Sequence, residues 1–189
     1  MDMPELQRYY KENVREELRA ARCYGNVHEI PALQKVVINS AISSDADKFT
    51  IEELVKDVAQ ISCQKPVVVL ARKSISNFKL RAGVPNGVKV TLRGRPMYHF
   101  VLKFIKIALP MIRDFQGISP RFDGNGNFTI GVRDYSIFPE ISVDRDKKVV
   151  GMDVTFQTTA RTDREAFDLL ESLGMPFVKK KGAAVAPAV

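Results

Sequence analysis

Eleven lysines and arginines lie between Val58 and Arg113, and no aspartate or glutamate separates them. They are Lys65, Arg72, Lys73, Lys79, Arg81, Lys89, Arg93, Arg95, Lys103, Lys106 and Arg113. Cations at this density, with acids excluded over 56 residues, do one kind of chemistry well. They hold a polyanion by charge and by donated hydrogen bonds. The rest of the chain carries 18 basic and 22 acidic residues, so the segment accounts for more than the whole +7 net charge. A solvated basic face without a partner is the bland alternative. An anionic membrane surface fits less well, because the cations do not fall on one amphipathic helix.

Catalytic groups are sparse. His28 falls in a turn and His99 in a helix, and neither has a partner at metal-ligand spacing. Asp123-Gly-Asn-Gly-Asn127 lacks the third glycine of a dinucleotide fingerprint and the Lys-Ser/Thr of a phosphate loop, so a tight turn explains it better. Asp114, Asp123 and Asp134 sit on different elements without ligand spacing. Cys23 and Cys63 make no disulfide framework and are expected to be reduced, as in a cytosolic protein. The expectation is a non-enzyme without metal or cofactor. No apolar run approaches the ~20 residues of a membrane helix; Phe100–Met111 is interrupted by Lys103, Lys106 and Pro110. The acidic, polar start is unlike a secretory signal. A length of 189 residues fits one domain, here residues 1–178, with a basic Ala/Pro-rich tail over 179–189.

The elements that must position the cations can be read from period and punctuation. A first helix runs from Pro4 to Cys23, with Leu6, Tyr10, Val14 and Leu18 as its stripe and Gly25-Asn26 as its stop. Leu33–Asn39 reads as a strand. A second helix starts at a Thr50/Glu53 capping box with Phe49 and Leu54 as staple. It carries Ile51, Leu54, Val55, Val58 and Ile61 inward and stops before Pro66. Val67–Ala71 is a short strand. Arg72–Asn86 has no period and reads as a long loop, of the kind that is functional or mobile. Within it Phe78 is either an anchor under the loop, the commoner role, or an exposed stacking surface. Val88–Arg93 alternates strictly: Val88, Val90 and Leu92 on one face, Lys89, Thr91 and Arg93 on the other. Pro96 opens a third helix to about Ile112, with Phe100, Phe104 and Ile107 on one side. Phe128–Arg133 and Val149–Thr159 are strands, the second with Thr155, Gln157 and Thr159 opposite Val154, Phe156 and Thr158. A Thr162/Glu165 box opens the last helix, and Gly174 ends it.

This order predicts an α+β fold: a mostly antiparallel sheet, helices packed on one face, the other open and polar. That open face would carry Lys89, Thr91, Arg93, Thr155, Gln157 and Thr159, groups suited to phosphates and riboses. An RNA reader that stacks bases on its sheet would need aromatics there, and Val88–Arg93 offers none.

Several segments together resemble one family. Ile61-Ser-Cys-Gln-Lys-Pro66, Ala71-Arg-Lys-Ser-Ile-Ser76, Lys89-Val-Thr-Leu-Arg-Gly94, Arg113-Asp-Phe, Phe122-Asp-Gly-Asn-Gly-Asn-Phe128 and Phe138-Pro-Glu-Ile141 follow the order and spacing of the bacterial-type L-five (uL-five) family of large-subunit ribosomal proteins. The likeness covers residues 4–178. It implies a component of the central protuberance that binds 5S ribosomal RNA, alongside large-subunit ribosomal RNA and neighbouring protuberance proteins, in the cytoplasmic ribosome. It also implies a loop that reaches peptidyl-site transfer RNA and a bridge to the small-subunit head protein S-thirteen. Carried over, the 5S RNA contacts fall on Asn39, Gln64, Thr91 and Arg93, with Lys65 and Lys89 adjacent. The transfer-RNA loop falls on Arg72, Lys73, Ser74, Asn77, Phe78, Lys79 and Arg81. The bridge falls on the loops around Arg133–Lys148.

Three features depart from the family pattern. Asn39-Ser40-Ala41-Ile42-Ser43 lacks the glycines of the usual Asn-x-Gly-x-Gly, so a different path is expected after the first strand. Cys63 stands where a glycine is usual, which bears on how the second helix ends. The tail beyond Lys179 extends past the usual terminus.

Overall fold

The computed structural model describes residues 3–42, 48–141 and 150–178. Five strands form one sheet in the order β2-β3-β1-β5-β4: β1 (Leu33–Ala41), β2 (Val67–Leu70), β3 (Pro85–Leu92), β4 (Phe128–Val132) and β5 (Met152–Thr158). Every neighbouring pair is antiparallel. The expected α+β architecture is therefore present, with β1 at the centre and β2 and β4 at the edges.

Each strand buries alternate residues. Val36 and Ile38, Val88, Val90 and Leu92, and Val154 and Phe156 are all at most 2% exposed. Helices cover that face: α3 (Lys48–Ser62) packs on β3, and α4 (Gly94–Lys103) packs on β1. Phe100 and Phe104 stack with Phe138, and Phe104 reaches Phe156 of β5. A second aromatic group, Phe122, Phe128, Phe167 and Phe177, seats α5 (Asp163–Ser172) and the chain after it.

The first helix is α1 (Glu5–Tyr9) and α2 (Arg15–Arg22), joined by a π-helical turn at Tyr10–Val14. The sequence explains the turn. Apolar residues spaced strictly by four drift about 40° per step around an α-helix. One wide turn absorbs that drift, and Leu6, Val14 and Leu18 are all buried, with the Tyr10 hydroxyl donating to the Pro31 carbonyl at 2.8 Å. The stop comes earlier than Gly25-Asn26: Cys23 takes the left-handed conformation at φ 50°. Asn26 instead accepts from the His28 amide to start a short 3-10 turn.

Other expectations need correction. α3 begins at Lys48, so Thr50 lies inside the helix and is not its cap; the Phe49 side chain lies outside the described residues. Ile107 is 42% exposed, while Ala108 and Leu109 are fully buried. A π-helical turn at Phe104–Ala108, closed by Leu109 N–H to the Phe104 carbonyl at 3.0 Å, moves the buried stripe on by one residue. β1 continues past Asn39 to Ala41, with Ala41 opposite Gly87, so the chain runs straight through the first position that lacks a family glycine. Ser43 and the tail 179–189 lie outside the described residues. The Thr162 cap is present, its hydroxyl accepting from the Glu165 amide at 3.4 Å. Gly174, at φ 92°, closes α5 with amides that return to Glu171 and Leu170.

Candidate nucleic-acid interface

The face of the sheet away from the helices is built in rows of cross-strand neighbours. One row is Val67, Lys89, Asn39, Asp153 and Gly131. The next is Thr91, Val37, Thr155 and Thr129. Lys89 is exposed, Asn39 and Thr91 half-buried. Asn39 and Lys89, far apart in sequence, are thus brought side by side.

Arg93 extends this face beyond β3. Its backbone is extended (φ −139°, ψ 156°) as the residue preceding α4, so the alternation holds for one more step. The first turn of α4 has no acid, and a helix start favours negative charge nearby. Among the described residues, the ion pairs are Arg22–Asp168, Lys103–Glu140 and Lys106–Glu5. Lys65, Lys89 and Arg93 are in none of them, so their charge faces solvent.

Gln64 and Lys65 arrive from the end of α3. Buried Ser62 donates to the Val58 carbonyl at 2.6 Å and contacts the Gln64 backbone on both its N–H and its carbonyl. Cys63 adopts φ 52°, and the chain reverses into β2. Gln64 and Lys65 are exposed at the start of β2, which antiparallel pairing puts beside the Thr91 end of β3. The structure therefore sets Asn39, Lys89 and Thr91 on the open face, with Arg93 just beyond β3 and exposed Gln64 and Lys65 just before β2.

The basic loop is a separate, internally bonded hairpin. Ala71 N–H donates to Val84, and Gly83 N–H returns to Ala71. Higher up, Ile75 and Leu80 exchange backbone hydrogen bonds of 2.8 and 3.1 Å. A 3-10 turn, Ser76–Phe78, forms the tip, and Lys79 at φ 52° closes it. The Ser74 hydroxyl accepts from the Ala82 amide at 2.9 Å. Arg72, Lys73, Ser74, Asn77, Lys79 and Arg81 are all exposed. Phe78 is 69% exposed at the tip. Phe78 is therefore not an anchor tucked under the loop; its ring is exposed.

Asp153 is the charged residue that β5 adds to this face. It shares the parity of Thr155 and Gln157 and is exposed, so alternation alone would have found it. Thr159, exposed and of the same parity as Thr155 and Gln157, also ties the strand end: its hydroxyl accepts from the Ala32 amide at 2.9 Å.

Among the described residues no cluster of His, Cys, Asp or Glu could hold a metal ion. Asp123 accepts from the Asn125 and Asn127 amides and the Asn127 side chain, bonds that hold its carboxyl below the usual value. Asp134 accepts from the Ser136 amide. Both serve turns. A concavity of about 590 Å³ lies on the helical side over Ile61, Pro96 and Phe100 and is mostly apolar. No helix of the described residues is long and apolar enough to cross a membrane.

Comparison with known proteins places the chain beside one family. Residues 26–81 match the family described as ribosomal protein L5, and residues 85–177 match the model for the C-terminus of the same ribosomal family. The chain is 46% identical over 177 residues to the large ribosomal subunit protein uL5 of Halothermothrix orenii, covering 93% of this chain and 99% of that one. It is 48% identical to the uL5 of Natranaerobius thermophilus with the same coverage. Against the uL5 of Protochlamydia amoebophila it is 47% identical, covering 93% and 95% of the two chains.

Proposed function

The chain belongs to the ribosomal protein L5 family, structural rather than enzymatic proteins of the large ribosomal subunit, and on that premise we propose that its open sheet face docks 5S ribosomal RNA in the central protuberance. Lys65, Lys89 and Arg93 neutralise phosphates. Asn39, Gln64 and Thr91 supply hydrogen bonds to riboses and base edges, the groups that distinguish a folded RNA from a generic polyanion. The observation that carries this reading is the placement of Lys89 directly beside Asn39 and of Arg93 beyond Thr91, with no ion-pair partner among the described residues.

The loop Arg72–Arg81 stands apart from this face and serves a second RNA, the transfer RNA in the peptidyl site. Its closed hydrogen bonding makes it a preformed finger, with Phe78 and its cations available at the tip. A contact with the small-subunit protein S-thirteen through 133–148 completes the proposal; residues 142–149 lie outside the described structure.

An electrophoretic shift with purified 5S RNA, competed by transfer RNA and by a generic duplex of equal charge, tests the main assignment. A shift that neither competitor displaces at equal charge is the expected result. Equal displacement by the generic duplex would reduce the face to an unselective basic patch.

A further inference from the structure

The open face is not polar throughout. β2 presents Val67 and Val69 on it, 68% and 39% exposed. Val67 is the cross-strand neighbour of Lys89, and Val69 that of Gly87, which in turn faces Ala41. A Cβ on Gly87 would lie 2.9 Å from the Ser40 carbonyl oxygen, so no side chain stands between Val69 and Ala41. The result is a flat apolar step at the sheet edge.

Bare β-branched residues on an edge strand invite aggregation, and folded proteins usually blunt such edges with charge or cover them. Here the covering partner can be identified by charge. Lys65 precedes β2, Arg72 follows it and Lys89 lies beside it, with no acid in β2 or β3. A partner that presents negative charges at both ends of an apolar surface is required. RNA has that form, since ribose and base faces lie between its phosphates. The step is also continuous with Lys89 and Asn39, the latter two strand spacings of about 4.8 Å from Val67.

We propose that Val67, Val69, Ala41 and the backbone of Gly87 form a shelf on which riboses and base faces of the bound RNA pack. The inference rests on the reading of this face as the 5S RNA surface. Its consequence is specific: part of the affinity comes from apolar contact and does not respond to salt.

The test is a salt titration of 5S RNA affinity with the full chain, comparing wild type, the double variant Val67→Thr/Val69→Thr, and Lys89→Gln. Threonine keeps β-branching and suits an exposed strand position; circular dichroism and melting verify the fold. The double variant should bind about ten-fold more weakly at every salt concentration, with an unchanged slope of log affinity against log salt. Lys89→Gln should instead flatten that slope by about one. Wild-type binding with an unaffected double variant overturns the shelf alone. Failure of the wild type to bind overturns the reading beneath it as well. Unchanged RNA affinity with impaired assembly into the large subunit would assign the shelf to a protein neighbour and overturn it too.

Discussion

Asn39 and Lys89 are direct cross-strand partners on β1 and β3, and Asp153 faces Asn39 from the other side. An amide is thus flanked by a cation and an anion in one row. This asymmetry orients the proposed RNA: phosphates belong on the Lys89 side, and the Asp153 side repels them.

Arg93→Ala should weaken 5S RNA binding by about 1–3 kcal/mol, the range for a charge-assisted contact. Arg93 forms no ion pair among the described residues, so the melting temperature should hold. Isothermal titration and a thermal melt on the same sample read both quantities.

Asp153→Asn should act in the opposite direction. Removing the exposed anion should tighten RNA binding by about 0.5–1 kcal/mol. The gain should shrink as salt rises, because exposed charges are screened. Affinities measured at low and high salt decide it.

Deleting Ser74–Arg81 should leave 5S RNA affinity nearly intact and impair transfer-RNA binding on assembled ribosomes. The hairpin closes on itself through Ala71, Gly83 and Val84, so its removal leaves the sheet standing. Phe78→Ala alone should lower transfer-RNA affinity by about 1–3 kcal/mol, as for loss of one stacked base. Equal loss of both RNAs would place the loop in the 5S site.

Cys63→Gly should stabilise the protein by about 1 kcal/mol. At φ 52° a side chain crowds the backbone, a penalty of roughly 1–2 kcal/mol that glycine escapes, less its own entropic loss. Denaturant titration reads the difference.

These positions also show what a one-dimensional reading can reach. Lys89, Thr91 and Arg93 are legible because a half-buried antiparallel strand imposes a period of two, and β3 keeps it without a bulge across that stretch. Ile107 is misplaced by periodicity because a π-helical turn changes the period within a helix, and the residues of such a turn look like ordinary helix formers. Thr50 carries a cap signature that local sequence cannot distinguish from an interior helical threonine. Phe78 is ambiguous because exposure of a loop aromatic depends on what lies beneath the loop, a tertiary fact. The cross-strand pairing of Asn39 with Lys89 needs the strand order, which the spacing of elements does not specify.

A buried link braces the helical layer behind this face. The Tyr135 hydroxyl donates to the Asp57 carboxylate at 2.9 Å, joining α3 to the turn before Phe138. Burial first, then this bond, raise the phenol above its ordinary 10.0. A phenol whose pKa is raised by folding contributes its full stability below pH 10, and that contribution is lost as pH rises beyond. Tyr135→Phe should cost about 1–3 kcal/mol at neutral pH, a difference that narrows in alkali. Urea melts across pH measure it.

The most direct test places a photoreactive side chain at Lys89 in cells and maps its crosslinks in intact ribosomes. Nucleotides of 5S ribosomal RNA should be recovered. Recovery of protein neighbours only, with the RNA untouched, would contradict the assignment of this face.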